Sequence, residues 1–195
     1  MSFSSLCIFC GSNPGKKSVY ADGARALGSL MAEQKIKLVY GGGKIGLMGI
    51  IADTLLEKGG EVIGVIPDFL MKKEVGHTGI QEMHVVKTMH ERKYLMSEIA
   101  DGFIAMPGGF GTLDELAEIL TWAQLGLHQK PIGILNIDGY FDGLLSFVDT
   151  MVKEGYLVAQ NSKMILVDDD PKKLLEKMAT YTFPDVEKWL NKDQL

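Results

Sequence analysis

Short apolar runs alternate with amphipathic stretches along most of the chain. The apolar runs predict strands at 6–9, 37–40, 62–66, 82–86, 102–106, 131–135 and 164–167. Apolar residues at helical spacing predict helices at 17–34, 47–58, 89–100, 112–125 and 143–154, with one or two polar helices in the tail, 171–195. This alternation indicates an α/β fold: a Rossmann-like, doubly wound, mostly parallel sheet flanked by helices. The length fits one domain, residues 1–195.

Several predicted strands end in glycine-rich turns. The first strand runs into 11–15, the second into 41–46 and the fifth into 107–109. Because the carboxyl ends of parallel strands meet at one edge of a sheet, we expect these turns to lie together, where such sheets bind ligands. Glycine turns supply backbone N–H donors with little side-chain bulk. A phosphorylated small molecule is therefore the expected ligand.

The segment 107–115 reads as a strand end, a glycine hinge and a helix that starts at Thr112. Backbone N–H groups at that helix start form an anion site, and Glu115, one turn inside, is a candidate general base. The alternative is a capping box, in which Glu115 only bonds the backbone of Thr112. More glycine than a cap requires precedes Thr112, which favours the functional interpretation. We expect the apolar stripe Leu113, Leu116, Ala117 and Leu120 to be buried, with Glu115 on another face.

A second capping box, Thr88 to Glu91, opens the helix before the fifth strand, and there we expect Glu91 simply to cap. Arg92 then occupies a position where the helical spacing predicts an apolar residue. A buried guanidinium needs an anion nearby. That anion is a structural carboxylate, a ligand phosphate or a catalytic glutamate. The pattern allows Lys93, the next residue, simply to face solvent.

Two glycine-rich segments partly match nucleotide-binding motifs. Residues 41–46 satisfy the dinucleotide-binding pattern G-x-G-x-x-G, but the acidic residue that should follow is not in its usual place. Two interpretations of these glycines therefore remain: a tight turn, or contact with a phosphate group. Residues 11–18 are one residue short of a P-loop, which argues against kinase or NTPase activity. Ser12 in this turn is a candidate phosphate donor.

Composition narrows the class of protein. Hydrophobic residues make up 46% and charged residues 23%, as in globular proteins, and the net charge of −5 disfavours nucleic-acid binding. The chain has no apolar run long enough for a membrane span and no signal-peptide pattern at its start, so a cytoplasmic protein without a membrane partner is expected. Cys7 and Cys10 have the C-x-x-C spacing but end a strand, where they point to opposite faces, which disfavours a redox role. The histidines lack metal-ligand spacing, so no metal is expected.

The segments 89–93 and 107–115, with Cys10 to Ser12 and Tyr40 to Gly43, strongly resemble the "lonely guy" (LOG) family of cytokinin-activating phosphoribohydrolases, often labelled lysine-decarboxylase-like. The resemblance covers roughly residues 5–180. It implies a Rossmann-like homodimer, without a cofactor, that hydrolyses the N-glycosidic bond of nucleoside 5′-monophosphates. The substrates would be AMP or cytokinin riboside monophosphates, and the products a free base and ribose 5-phosphate.

The resemblance also assigns residues. The family's catalytic pair falls on Arg92 and Glu115. Glu115 would stabilise the positive charge that develops on the ribose and accept a proton from the attacking water. Phe110 and Asp114 stand where plant members commonly carry Tyr and Glu, a change that can alter base preference. The residues expected to contact the substrate are Ser12, Gly42, Gly43, Glu74, Met89, Lys93, Gly108, Gly109, Phe110, Gly111, Thr112, Leu113, Asp114 and Thr121.

Two other functions compete. The family's older label implies a lysine decarboxylase with pyridoxal phosphate on a Schiff-base lysine, for which Lys44 and Lys93 are the candidates near the glycine turns. The second is a non-catalytic nucleotide carrier or sensor, in which Glu115 would be a helix cap. Dimerisation rests on the resemblance, and the apolar residues Trp122, Leu125 and Leu127 permit it.

Overall fold

The computed structural model of the chain describes residues 3–71 and 76–184. These residues form a seven-stranded sheet in the order β4-β3-β2-β1-β5-β6-β7. Every strand pair in it is parallel. The strands are β1 Ser5–Phe9, β2 Lys37–Tyr40, β3 Val62–Pro67, β4 Glu82–Val86, β5 Phe103–Ala105, β6 Ile132–Leu135 and β7 Ile165–Asp168.

Helices connect the strands and cover both faces of the sheet. They are α1 Ser18–Glu33, α2 Gly46–Glu57, α3 Asp68–Met71, α4 Met89–Ile99, α5 Phe110–Gln124, α6 Asp142–Lys153, α7 Ala159–Ser162 and α8 Pro171–Ala179. The doubly wound α/β prediction is confirmed, and the predicted strands and main helices are present with ends displaced by no more than two residues. None of the helices formed by these described residues has the length and apolar character needed to cross a lipid bilayer.

The chain reverses its winding direction between β1 and β5, which are adjacent strands in the middle of the sheet. In doubly wound sheets this topological switch point opens the crevice where ligands bind. The loops that leave the two strands are joined there, because the N–H of Gly11 donates to the carbonyl of Pro107 at 3.0 Å. The N–H of Leu47, at the start of α2, donates to the carbonyl of Gly11 at 3.0 Å. Three strand ends are thus held at one place.

The sheet separates two buried apolar clusters. One contains Leu6, Ile8 and Tyr40 with residues of α1, α2 and α8. The other contains Cys7, Phe9 and Phe103 with residues of α4 and α5. Alternate residues of β1 therefore face opposite sides, as strand geometry requires. Cys10 belongs to the first cluster and Cys7 to the second, so the prediction that the two cysteines point to opposite faces is confirmed.

The N-termini of α4 and α5 differ in how they are capped. At α4 the N–H of Glu91 donates to the hydroxyl of Thr88 at 3.1 Å, so the predicted cap is confirmed, although the Glu91 carboxylate accepts from the N–H of Lys87 rather than from Thr88. Helix α5 begins at Phe110, two residues before the predicted start, and its N-cap is Gly109. The capping box from Thr112 is therefore wrong.

The predicted buried stripe of α5 is also wrong in part. Leu113 and Ala117 are exposed, whereas the buried positions are Thr112, Glu115, Leu116, Ile119 and Ala123. These buried positions form one face of the helix, the face that lies against the sheet. Glu115 is on that face and not on a separate one. The first turns of α5 thus bring two polar side chains to the crevice, and its later turns bring apolar ones to the core.

Candidate active site

A cavity of about 230 Å³ lies at the switch point, between the loop after β1, the end of β2, helix α4 and the start of α5. Its walls combine an ion pair, backbone of four glycines and a few apolar side chains. The lining residues are Ile8, Cys10, Gly11, Ser12, Gly41, Met48, Arg92, Gly109, Phe110, Gly111, Thr112 and Glu115.

The two predicted catalytic side chains meet in this cavity. Nη2 of Arg92 lies 3.3 Å from Oε1 of Glu115, and the two side chains are only 10% and 8% exposed. Nε of Arg92 donates to the carbonyl of Val65 at 3.1 Å, which fixes the guanidinium at the end of β3. Of the three anions considered as partners of Arg92, the structure shows a carboxylate, that of Glu115, within ion-pair distance. The two side chains come from α4 and α5, and the backbone of β3 orients the guanidinium.

Glycine at position 41 is what makes room for Arg92. A methyl group built on Gly41 would overlap Nη2 of Arg92. The backbone of the β2 end therefore forms the floor on which the guanidinium lies. A side chain at this position would push the guanidinium away from Glu115.

The carboxyl group of Glu115 has an unusual acidity. Burial raises its pKa from the ordinary 4.5 to about 7, against the opposing effect of the Arg92 charge. Desolvation disfavours the charged form of a buried carboxyl group, and here it outweighs one ion pair. A carboxyl group that titrates near neutral pH is suited to accept and return a proton in catalysis.

The glycine loop before α5 leaves the mouth of the cavity open. Methyl groups built on Gly109 and Gly111 would meet no protein atom within 4 Å. Neither residue has a positive φ. Packing and backbone geometry within the described chain therefore do not require glycine at these two positions. The missing side chains instead leave space for a ligand to approach the backbone.

That backbone is the start of a 15-residue helix. The first N–H groups of a helix have no intrahelical acceptor and carry the positive end of the helix dipole. The N–H groups of Phe110, Gly111 and Thr112 occupy these positions, and all three residues line the cavity. Ser12, in the loop after β1, also lines the cavity. An anionic group fits this end of the cavity, about one helix turn from Glu115.

Lys93 is buried rather than facing solvent. Its Nζ lies 3.1 Å from Oδ2 of Asp114 and 3.0 Å from Oε2 of Glu118, so it joins α4 to α5. Burial alone would lower the pKa of Lys93, but its hydrogen bonds to Glu118 and Asp114 raise it above the ordinary value. An amine that is held protonated is poorly suited to form a Schiff base, which requires the neutral form.

Other predicted contact residues lie outside the cavity wall. The sulfur of Met89 is 3.9 Å from Nη1 of Arg92, and Gly108 lines the neighbouring cleft. Leu113 and Thr121 line an apolar groove between α5 and α6. The region of Gly42 and Gly43 lies beside the cavity: the carbonyl of Gly42 accepts from the N–H of His77, and Gly43 forms an isolated bridge with Gly76. Glu74 falls outside the described residues.

Sequence reasoning missed several residues of the wall. Gly11 and Cys10 directly precede Ser12, and Gly41 opens a glycine run, so their place at strand ends was an available signal. Ile8 and Met48 carry no such signal, because apolar residues in a strand and a helix predict only core packing. Burial raises the pKa of the Cys10 thiol, which stays protonated beside the cavity. Within residues 3–71 and 76–184, no group of His, Cys, Asp or Glu side chains is arranged to hold a metal ion.

An acid–base pair beside an anion-binding helix start, at the switch point of a doubly wound sheet, is typical of Rossmann-like proteins that bind small phosphorylated molecules. Residues 48–178 match the family described as "Possible lysine decarboxylase". Two curated relatives span most of the chain. "Probable cytokinin riboside 5′-monophosphate phosphoribohydrolase LOGL2" of Oryza sativa subsp. japonica is 46% identical over 97% of this chain and 78% of its own length. "Cytokinin riboside 5′-monophosphate phosphoribohydrolase LOG4" of Arabidopsis thaliana is 47% identical over 92% of this chain and 84% of its own length.

The chain belongs to this family, together with the LOG proteins, as the resemblance predicted. Solved structures share the fold at lower identity. The molybdenum cofactor binding protein of Rippkaea orientalis superposes with a TM-score of 0.68 at 21% identity, over 92% of this chain and 98% of that one. The molybdenum cofactor carrier protein of Chlamydomonas reinhardtii gives 0.67 at 17% identity, over 91% and 98%. At these identities the likeness concerns the fold alone.

Proposed function

We propose that this chain hydrolyses the N-glycosidic bond of nucleoside 5′-monophosphates, such as AMP or cytokinin riboside monophosphates, to a free base and ribose 5-phosphate. The observation that carries the proposal is the buried pair of Arg92 and Glu115, 3.3 Å apart, in a cavity that also contains an open helix N-terminus. The names of the curated relatives, phosphoribohydrolases at 46–47% identity, support the same reaction.

The reaction needs three functions, and the cavity has a group for each. The N–H groups at the start of α5 hold the 5′-phosphate and so position the ribose. As the bond between C1′ and the base nitrogen breaks, its electron pair leaves with the base and positive charge develops on the ribose. The carboxylate of Glu115 stabilises that charge and accepts a proton from the water that attacks C1′. The departing base nitrogen takes up one proton from solvent and Glu115 returns its proton to solvent, so the base leaves neutral and Glu115 is ionised again. Arg92 holds Glu115 in place and favours its charged form, against the effect of burial.

The test is direct. Purified protein is incubated with AMP, and free adenine and ribose 5-phosphate are quantified over time. Glu115→Gln and Arg92→Ala are each expected to lower turnover at least about 100-fold, the scale of losing a general base or its orientation. Glu57→Gln, at the exposed end of α2, is the matched control and should retain wild-type activity. Near-normal turnover in Glu115→Gln would remove the proposed role of Glu115.

The AMP assay separates a hydrolase from a carrier, and an assay with lysine tests the decarboxylase. A carrier would bind AMP and release no adenine. A decarboxylase would need a lysine able to form a Schiff base, and Lys93 is instead paired with two carboxylates. Production of cadaverine from lysine with added pyridoxal phosphate would contradict this assignment. The geometry therefore favours hydrolysis.

We propose further that the protein acts as a homodimer. The support is the resemblance, together with an apolar groove of about 230 Å³ between α5 and α6, lined by side chains such as Leu144 and Val148. Of the residues that permitted dimerisation, Leu127 is buried within the chain and does not offer a surface. Light scattering should give the mass of two chains. The mass of one chain at micromolar concentration would contradict the dimer.

A further inference from the structure

A tyrosine outside the predicted site is bonded to the glycine loop. The hydroxyl group of Tyr140 donates to the carbonyl of Gly108 at 2.5 Å. Tyr140 follows the short 3-10 turn Ile137–Gly139 after β6, so this hydrogen bond links the end of one strand to the loop of its neighbour. Both residues line a cleft of about 240 Å³ that shares Gly109 with the wall of the catalytic cavity.

The ring of Tyr140 is held firmly enough to fix what it bonds. It packs edge-on against Tyr20 of α1, with centroids 5.7 Å apart, and against Phe141, with centroids 5.0 Å apart. The turn that carries it is closed by Asn136, whose side chain accepts from the N–H of Phe141 and donates to Asp142, both at 2.7 Å. The hydroxyl group therefore reaches Gly108 from a rigid base.

The bonded carbonyl belongs to the peptide unit that carries the N–H of Gly109, the N-cap of α5 and a residue of the cavity wall. The carbonyl of Gly108 and the N–H of Gly109 are parts of one planar trans peptide, in which they point in opposite directions. A hydrogen bond to the carbonyl therefore fixes the direction of the Gly109 N–H, away from Tyr140. Between two glycines this plane has few local restraints, because glycine populates more backbone conformations than any other residue.

We propose that Tyr140 is a positioning residue for the phosphate site: it orients the Gly108–Gly109 peptide so that the N–H of Gly109 joins the helix N–H groups around the ligand's phosphate. This rests on the proposed function for the identity of the ligand. Without the hydroxyl group the peptide loses this restraint, and the phosphate must order it further on binding. The cost falls on phosphate affinity and not on the chemical step at Glu115.

Tyr140→Phe tests this, because it removes only the hydroxyl group and keeps the ring contacts. Tyr156→Phe, at a fully surface-exposed tyrosine, is the matched control. Affinities for ribose 5-phosphate and for adenosine are measured by calorimetry, with thermal unfolding as the check on folding. In Tyr140→Phe we expect ribose 5-phosphate to bind about 3- to 10-fold more weakly, the range of a single hydrogen bond, with adenosine affinity unchanged. The KM for AMP should rise by a similar factor, with kcat within about twofold.

Each outcome decides between the alternatives. Unchanged affinity for ribose 5-phosphate overturns the proposal, and so does an equal loss for ribose 5-phosphate and adenosine, which would indicate a general structural role. If the wild type binds ribose 5-phosphate but releases no adenine from AMP, the hydrolase proposal fails. A weaker affinity of Tyr140→Phe for ribose 5-phosphate would still support the role of Tyr140 in that case.

Discussion

Replacing Glu115 by glutamine tests the charge of the buried carboxyl group through protein stability, independently of any substrate. Burial raises the pKa of Glu115 from 4.5 to about 7, so between these pH values the folded protein keeps a proton that the unfolded chain has released. Folding stability therefore falls as the pH rises through this window. At about 1.4 kcal/mol per pH unit, the full loss is about 3 kcal/mol and is present above pH 7.

Glutamine has the shape of the protonated carboxyl group and does not ionise. Glu115→Gln should therefore match the wild type near pH 4 and exceed it at pH 8. The gain at pH 8 should approach the full loss of about 3 kcal/mol, because the pKa of Glu115 already includes the effect of the Arg92 charge. If the pair were a structural ion pair with net stabilising effect, the same substitution would instead cost about 3–5 kcal/mol.

Urea unfolding, followed by circular dichroism at pH 4, 6 and 8, measures this difference. The exposed Glu57→Gln variant serves as control, because its carboxyl group lies at the surface and should change stability little at any pH. A Glu115→Gln protein that is less stable than the wild type at pH 8 would refute the reasoning. So would a difference that is the same at all three pH values. A gain in stability with a loss of turnover is the signature of a group retained for chemistry.

Three further predictions concern the same cavity. Because Glu115 must be ionised to act as a base, kcat/KM for AMP, which reports the free enzyme, should fall about tenfold per pH unit below the Glu115 pKa of about 7, and a limb near 4.5 would contradict this. A methyl group at position 41 would displace the Arg92 guanidinium, so Gly41→Ala should lower turnover at least about 10-fold. Circular dichroism should show that the variant is folded, and retained turnover would contradict the proposed packing. Gly111→Ala adds a methyl group where the chain has open space, so the unfolding midpoint should not fall, while the KM for AMP rises at least about 3-fold; unaltered KM would exclude ligand contact there.

The strands and long helices were predictable because their hydrophobic patterns are strong. The predicted bounds 37–40 and 82–86 coincide with β2 and β4. Two short helices, α3 and α7, were missed, since each has only four residues and one turn cannot display a helical period. Within the described part of the tail, the structure contains a helix at Pro171–Ala179, which Asp170 caps.

The buried face of α5 was mispredicted for a physical reason. Apolar spacing identifies the face that packs in a core, but this helix starts above the crevice at the sheet edge, where the covered surface is a polar cavity. Thr112 and Glu115 occupy the covered positions there, and Leu113 is left exposed. The periodic pattern applies only further along, at Ile119 and Ala123. A sequence cannot show where along a helix the sheet beneath it ends.

Tyr140 lay outside the reach of sequence reasoning for another reason. Its partner Gly108 is 32 residues away, and the contact exists only because β5 and β6 are neighbours in the sheet. The motif 107–115 predicts local N–H groups and a nearby carboxylate, because both follow from one turn of chain. It does not predict which other strand end restrains that turn. That information lies in the topology.

The packing of α4 against α5 explains why two adjacent residues of α4, Arg92 and Lys93, are both cations. Helix α5 presents Asp114, Glu115 and Glu118 to two cations, an excess of negative charge that would compete for the guanidinium. Lys93 contacts Asp114 and Glu118, which lie four residues apart and so on one side of the helix. Among the residues that the structure describes, the carboxylate left to pair with Arg92 is that of Glu115. Neutralising Lys93 would leave the charges of Asp114 and Glu118 uncompensated, raise the pKa of Glu115 further and favour its protonated form. The lysine thus affects the charge of Glu115 without lining the cavity.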